Sequence, residues 1–145
     1  MPEWVKAACS EYIKRMPREL GIEILEVKPE KRGAGKSAVQ ILALESVRLE
    51  SGIPPNATRI ALDERGENWS SAQLAQTVRE AMGRKAPLAF LIGGADGLAA
   101  EIKLRAHRLL SLSNMTLPHA LARVVLCEQL YRAASIINAH PYHRE

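Results

Sequence analysis

The stretch Leu112-Ser113-Asn114-Met115-Thr116-Leu117-Pro118-His119-Ala120-Leu121-Ala122-Arg123 follows a short apolar run and leads into the longest apolar helix pattern of the chain. Pro118 suits the first turn of a helix, where a missing N–H costs nothing. The residues before it therefore join a strand to a helix. A second junction of the same kind lies upstream. Leu88 to Ile92 is an uninterrupted apolar run, as expected for a central parallel strand covered on both faces. Gly93-Gly94-Ala95-Asp96-Gly97-Leu98 then turns toward another helix. In alternating α/β chains ligands sit beyond the carboxyl ends of the strands, so these two junctions mark the expected site.

Working outward, Trp4, Val5, Ala8, Cys9, Tyr12, Ile13 and Met16 recur at helical spacing between Pro2 and Pro17. Gly21 breaks that helix, and Ile22 to Val27 reads as a strand. Pro29 to Lys36 is a basic loop. Ser37 with Gln40, and later Ser70 with Gln73, have capping-box spacing. The first box opens a helix whose apolar face is expected at Val39, Leu42, Ala43 and Leu49. Gly52 to Asn56 is a turn, Thr58 to Asp63 a strand, and Glu64 to Trp69 a loop. The second box opens a helix with Leu74, Val78, Ala81 and Met82 on one face, ended by Gly83. A helix from about Leu98 to Arg108 and a short strand around Leu109 to Leu112 follow. The last helix runs to about Asn138 and carries Leu121, Val124, Val125, Leu126, Cys127, Leu130, Ile136 and Ile137 on more than one face. A helix apolar on several sides is covered by more than its own sheet, and a dimer interface is one natural cover. The order α-β-α-β-α-β-α-β-α over residues 1–145 reads as a single domain. It predicts the α/β class, with a mostly parallel sheet and helices on both faces.

A chain of 145 residues can bury a real core. With 47% hydrophobic and 25% charged residues it is globular rather than disordered. No apolar run approaches the ~20 residues of a membrane span. Cys9 and Cys127 lie far apart within helix patterns, which predicts buried, reduced thiols and a cytoplasmic protein. Without a CxxC or Cys/His cluster a structural zinc is not expected, and no metal is assigned. A net charge of +4 permits a nucleic-acid partner without demanding one. Aromatic content of 4% argues against a base-stacking platform.

The residues alone leave several readings open. Gly93 to Gly97 is either an ordinary strand-to-helix turn or a loop that lets backbone approach a ligand. It is not a GxGxxG fingerprint, so a dinucleotide is not indicated. Ser113 to Leu117 can be a plain capped loop, with Thr116 before Pro118 as good capping chemistry, or a ligand loop walled by Leu112, Met115 and Leu117. Gly33-Ala34-Gly35-Lys36-Ser37 resembles a P-loop, and Ile60 to Glu64 an acidic strand end. The P-loop pattern needs glycine where this chain has Glu30, and a carboxylate there repels phosphate. A basic loop, with Lys28, Lys31, Arg32 and Lys36 facing RNA phosphates or only solvent, fits better. His119 reads as positional. In the tail, Tyr142, His143 and Arg144 can stack on a base, exchange a proton and pair with phosphate, or simply fray.

Ile92 to Leu98, Leu112 to Ala133 and the terminal His140-Pro141-Tyr142-His143-Arg144-Glu145 resemble one family across essentially the whole chain. These are the SPOUT methyltransferases that methylate N3 of a pseudouridine in large-subunit ribosomal RNA. The resemblance implies a trefoil-knotted α/β fold, S-adenosylmethionine as cofactor, a homodimer and a substrate met in the assembled ribosome. It assigns cofactor contacts to Leu62, Gly93, Leu112, Ser113, Asn114, Met115, Thr116 and Leu117. It assigns action on RNA to the tail, with Tyr142, His143 and Arg144 as the catalytic set and His143 as a candidate base. Arg123, Arg132 and Arg144 are expected to bind phosphate. The family opens with an apolar strand of roughly ten residues, ahead of the helix that starts here at Pro2. Loss of that strand predicts an exposed sheet edge and lower stability. A non-catalytic ribosome-binding protein that keeps the fold is the alternative.

Overall fold

The structure, a computed structural model, describes residues 1–33 and 35–144. Ala34, in the glycine-bearing loop, and Glu145, the last tail residue, lie outside them. Among the described residues the elements run α1 (Glu3–Ile13), a 3-10 turn (Arg18–Leu20), α2 (Ala38–Gly52), β1 (Thr58–Asn68), α3 (Ser71–Arg84), β2 (Leu88–Leu91), α4 (Ala100–Arg105), β3 (Arg108–Ser111) and α5 (His119–Ile137). The sheet is parallel, with β1 between β2 and β3.

Both capping boxes form in full. The Ser37 and Ser70 hydroxyls accept from the N–H groups of Gln40 and Gln73, and each glutamine side chain reaches back to the serine N–H. These are the first-turn donors that have no partner within a helix.

The core lies on both faces of the sheet. Ala89 and Leu91 of β2 pack with Ala61, Leu98 and Ile102 on the α4 side. Leu88 and Phe90, alternating with them, pack with Leu74, Ala75, Val78 and Ala133 on the α3 and α5 side. Helices on both faces of a parallel sheet are what the sequence pattern predicts, and they explain why β2 is an unbroken apolar run. A third cluster joins α1 to the outer side of α5 through Val5, Cys9 and Cys127. Both cysteines are buried free thiols, and burial together with contact from Cys9 pushes the Cys127 thiol up to about 12.

Four sequence expectations change. Ile22 to Val27 is not a strand, and its backbone takes no hydrogen bond among the described residues. A strand exists only by pairing, which is non-local, so an alternating pattern is not sufficient. Conversely, the expected loop after Asp63 continues as strand to Asn68. Pairing with β3 breaks after Leu62 and resumes at Glu67 against the same Leu110, with Asp63 to Gly66 bulging between. A Cβ on Gly66 would lie 2.7 Å from the Leu109 carbonyl oxygen, so only glycine lets this tail lie flat on β3. On α2 the buried residue is Ile41; of the expected apolar face, Leu49 packs on the core and Leu42 is half-buried, whereas Val39, 76% exposed, and Ala43 face solvent. Finally, α3 runs past Gly83 and ends on Lys85, itself in the left-handed region at φ 54°.

Candidate functional site

The register of the sheet builds the site. Ala61 is level with Leu91, and Leu62 with Leu110. Just beyond these positions β1 bulges at Asp63, and the chain leaves the sheet after Leu91 and after Ser111. Leu62, the glycine loop and the Leu112–Leu117 loop therefore sit at one carboxyl edge. A hydrogen bond from the Thr116 hydroxyl to the Glu64 carboxylate, 3.4 Å long, ties the last loop to the strand tail of β1.

The Leu112–Leu117 loop has a defined shape. The Ser113 hydroxyl accepts from the Met115 N–H at 2.9 Å, and the Ser111 hydroxyl donates to the Ser113 carbonyl at 2.8 Å. These bonds curl the chain ahead of Pro118, the N-cap of α5. The main-chain groups of Asn114, Thr116 and Leu117 take no hydrogen bond among the described residues. Leu112 and Leu117 are half-buried and Met115 is 78% exposed. Unpaired amides and carbonyls beside apolar side chains suit a ligand that is part polar edge and part apolar surface, such as a purine nucleoside.

The glycine loop closes on itself. Gly97 N–H donates to the Gly94 carbonyl at 3.0 Å, and Gly97 sits at φ 76°. A Cβ on Gly93 would stand 2.6 Å from the Gly97 carbonyl oxygen. Gly93 is thus required by the turn itself, whether or not a ligand approaches. Asp96 of this loop accepts from Arg32 at 2.6 Å, which joins it to the basic loop.

Charges around the strand end are mostly internally matched. Asp63 accepts from the Arg65 N–H at 3.1 Å and faces the Lys103 ammonium, also at 3.1 Å; these hold its carboxyl below the usual range. In the basic loop Lys36 pairs with Glu30 at 2.7 Å, and Arg48 pairs with the same carboxylate. The lysine that a P-loop would aim at phosphate is therefore held by the glutamate that breaks the motif. Of the expected phosphate binders, Arg123 pairs with Glu26 at 3.0 Å and Arg132 with Glu128 at 2.9 Å. Arg144 is exposed and takes no partner among the described residues.

The tail is not gathered at this edge, and it does not fray. Tyr142 donates to Glu128 at 2.7 Å and meets the Tyr131 ring edge-on, with centroids 4.6 Å apart. The Arg132 guanidinium lies 4.9 Å from its ring centre. Burial, then the Glu128 carboxylate, push the Tyr142 phenol up to about 12. His143 Nδ1 stands 3.3 Å from Arg132. A guanidinium can only donate, so Nδ1 accepts and the ring's proton is on Nε2. In this arrangement the lone pair of His143 is already taken.

Sequence reasoning missed Glu128, which anchors the tail. Its four-residue spacing to Arg132 signals an ion pair, but nothing local signals Tyr142. His119 is exposed at the start of α5, consistent with a positional role.

A parallel sheet with two loops at its carboxyl edge, the second feeding directly into the long last helix, is an α/β arrangement that can hold a ligand at that edge. The profile described as "Predicted SPOUT methyltransferase" matches residues 1–143, and the chain belongs to that family. Curated relatives are similar along nearly their whole length. The "Ribosomal RNA large subunit methyltransferase H" proteins of Laribacter hongkongensis and Chromobacterium violaceum are each 53% identical over 145 residues, which is 100% of this chain and 93% of theirs. The protein of that name from Paraburkholderia xenovorans is 51% identical over 144 residues, 99% of this chain and 92% of its own. No helix among the described residues is long and apolar enough to cross a membrane, and no group of His, Cys, Asp and Glu side chains there could hold a metal.

Proposed function

We propose that this chain is an S-adenosylmethionine-dependent methyltransferase that methylates N3 of a pseudouridine in large-subunit ribosomal RNA. The observation that carries the reading is the convergence of Leu62, Gly93 and the Leu112–Leu117 loop at one sheet edge. Similarity along the whole chain to proteins named as large-subunit ribosomal RNA methyltransferases supports the substrate class.

The unpaired main-chain groups of Asn114, Thr116 and Leu117 fit the adenine edge of the cofactor, with Leu62, Leu112 and Met115 as apolar walls. Held by these residues, S-adenosylmethionine would supply an electrophilic methyl group for transfer to N3 of the base, which must give up its proton. The chain's part is to bind and orient both reactants. His143 would serve as base only after leaving Arg132, which frees Nδ1 to accept. Arg144 is available to RNA phosphate without breaking any contact.

The tail suggests why a homodimer is needed. Tyr142 is fixed at Glu128, about ten residues into the last helix, or ~15 Å along its axis from the cofactor loop of the same chain. A second copy can bring its tail to that loop. We further read the Leu112–Leu117 loop as the threaded element of the trefoil knot. β2 carries no strand on its outer side among the described residues, and Ile22 to Val27 is unpaired. An apolar strand of the kind that opens other family members would pair there, and adding one should raise the melting temperature.

Two measurements test the function. Calorimetry with S-adenosylmethionine should show binding, and purified ribosomes should gain tritiated methyl that mass spectrometry locates on N3 of a pseudouridine. No cofactor binding at millimolar concentration would favour a ribosome-binding protein without turnover.

A further inference from the structure

The bulge that carries Glu64 toward the cofactor loop carries Arg65 into a separate open groove. The groove has a volume of about 430 Å³ and is lined by Arg65, Gly66, Glu67, Lys103, His107 and Arg108, among others. Its floor is main chain, because Gly66 lies flat on Leu109.

Two of the donors, Arg108 and His107, are held in place. Arg108 is braced over Trp69, 4.6 Å from the ring centre, and reaches Glu67 at 3.3 Å. Both members of that pair are well exposed, at 44% and 62% of their side chains, so solvent and salt weaken it. His107 Nδ1 accepts from the Arg59 N–H at 3.0 Å, so the neutral ring presents an Nε2–H donor. Arg65 has no carboxylate partner among the described residues; Lys103 shares its charge with Asp63. Glu67 is the one carboxylate lining the groove, against Arg65, Lys103 and Arg108. A planar guanidinium braced as Arg108 is loses little freedom on binding, and both guanidinium groups match phosphate geometry.

We infer that this groove is a second RNA contact, a track for phosphodiester backbone running beside the cofactor cleft. The inference rests on the proposed function. Glu64 and Arg65 are consecutive, and the first meets Thr116 of the cofactor loop while the second lines the groove. A strand lying in the groove would therefore pass the cofactor loop within a residue or two, where one nucleotide could be presented for methylation.

The test compares wild type with Arg65→Glu and Arg108→Gln, measuring affinity for purified ribosomes across a salt series and S-adenosylmethionine affinity by calorimetry. Each variant should bind ribosomes about tenfold more weakly, with a salt slope reduced by roughly one phosphate and cofactor affinity unchanged. Unchanged affinity and slope in both variants, beside a wild type that binds, would overturn the groove alone. Weaker binding with an unchanged slope would mean a protein contact and also overturn it. A wild type that binds no ribosome removes the functional reading and the groove together.

Discussion

Tyr142 gives its phenolic hydrogen bond to Glu128 at 2.7 Å, and with the Tyr131 and Arg132 contacts this bond makes a terminal segment part of the fold. The phenol is held neutral, its ionisation pushed up to about 12 by burial and by the carboxylate. An ordinary tyrosine ionises near ~10. The bond's contribution to stability is therefore complete below about pH 10 and is lost as pH rises through 12. Tyr142→Phe keeps the ring stack and removes the bond. It should lower unfolding free energy by about 1 kcal/mol at neutral pH, read as a shift in denaturant midpoint. An ultraviolet titration should lose its most alkaline tyrosine step. A midpoint equal to wild type would show that the bond contributes nothing.

Removing residues 142–145 is more severe. Read from the sequence, this tail leaves the core after Pro141, and its loss should not touch stability. The structure revises that, because the Tyr131 and Arg132 contacts go with it. The truncated protein should melt a few degrees lower, about 2–4 °C for each kcal/mol lost in a chain of this size. It should bind cofactor normally and transfer no methyl group to ribosomes. Turnover at the wild-type rate would confine the tail to a structural role.

The two cofactor loops call for different probes. Gly93→Val, the obvious crowding variant, cannot separate ligand from fold, since any Cβ there meets the Gly97 carbonyl. It should damage the turn and lower stability as well as binding. Met115 is the cleaner position, being 78% exposed with no packing to lose. Met115→Ala should leave stability within about 0.5 kcal/mol. If the side chain covers the cofactor, affinity should fall several-fold in calorimetry. Unchanged affinity would remove Met115 from the site.

What the sequence reveals depends on how local the cause is. Ser37 with Gln40 and Ser70 with Gln73 are satisfied within one helical turn, and they read correctly. The alternation of Leu88 and Phe90 against Ala89 and Leu91 needs only a sheet covered twice, and the apolar run announces it. Ile22 to Val27 has the same local credentials and no strand beside it, so it stays unpaired. Glu64 to Asn68 looks like a loop because its charges and glycine hide a strand that rests on β3. The loop positions Leu112 to Leu117 stand out through their junction with Pro118. The tail's anchor on Glu128 depends on two residues meeting across fourteen positions of sequence.

The last helix decides between core and interface. Because α5 is apolar on several sides, Val125 and Leu130 are expected to be covered by a partner or by the core. Leu130 packs into the cluster of Leu74, Ala75, Val78 and Ala133. Val125 lines a small cavity of about 100 Å³ with Trp69, Leu110 and Leu112. Within a single copy, exposed apolar side chains on the α1 and α5 pair are instead Trp4 and Leu121, at 54% and 38% exposure. Leu130→Glu should therefore lower the unfolding midpoint, since Leu130 is half-buried against that cluster and a charge there loses part of its hydration. Leu121→Glu should fold, with an unfolding midpoint near wild type. If a second copy covers that face, Leu121→Glu should sediment as a monomer, bind ribosomes poorly and transfer no methyl group. Sedimentation of wild type and variant at matched concentration is the measurement. A Leu121→Glu dimer would move the interface elsewhere, and a monomeric wild type would remove the homodimer and the tail's action across it.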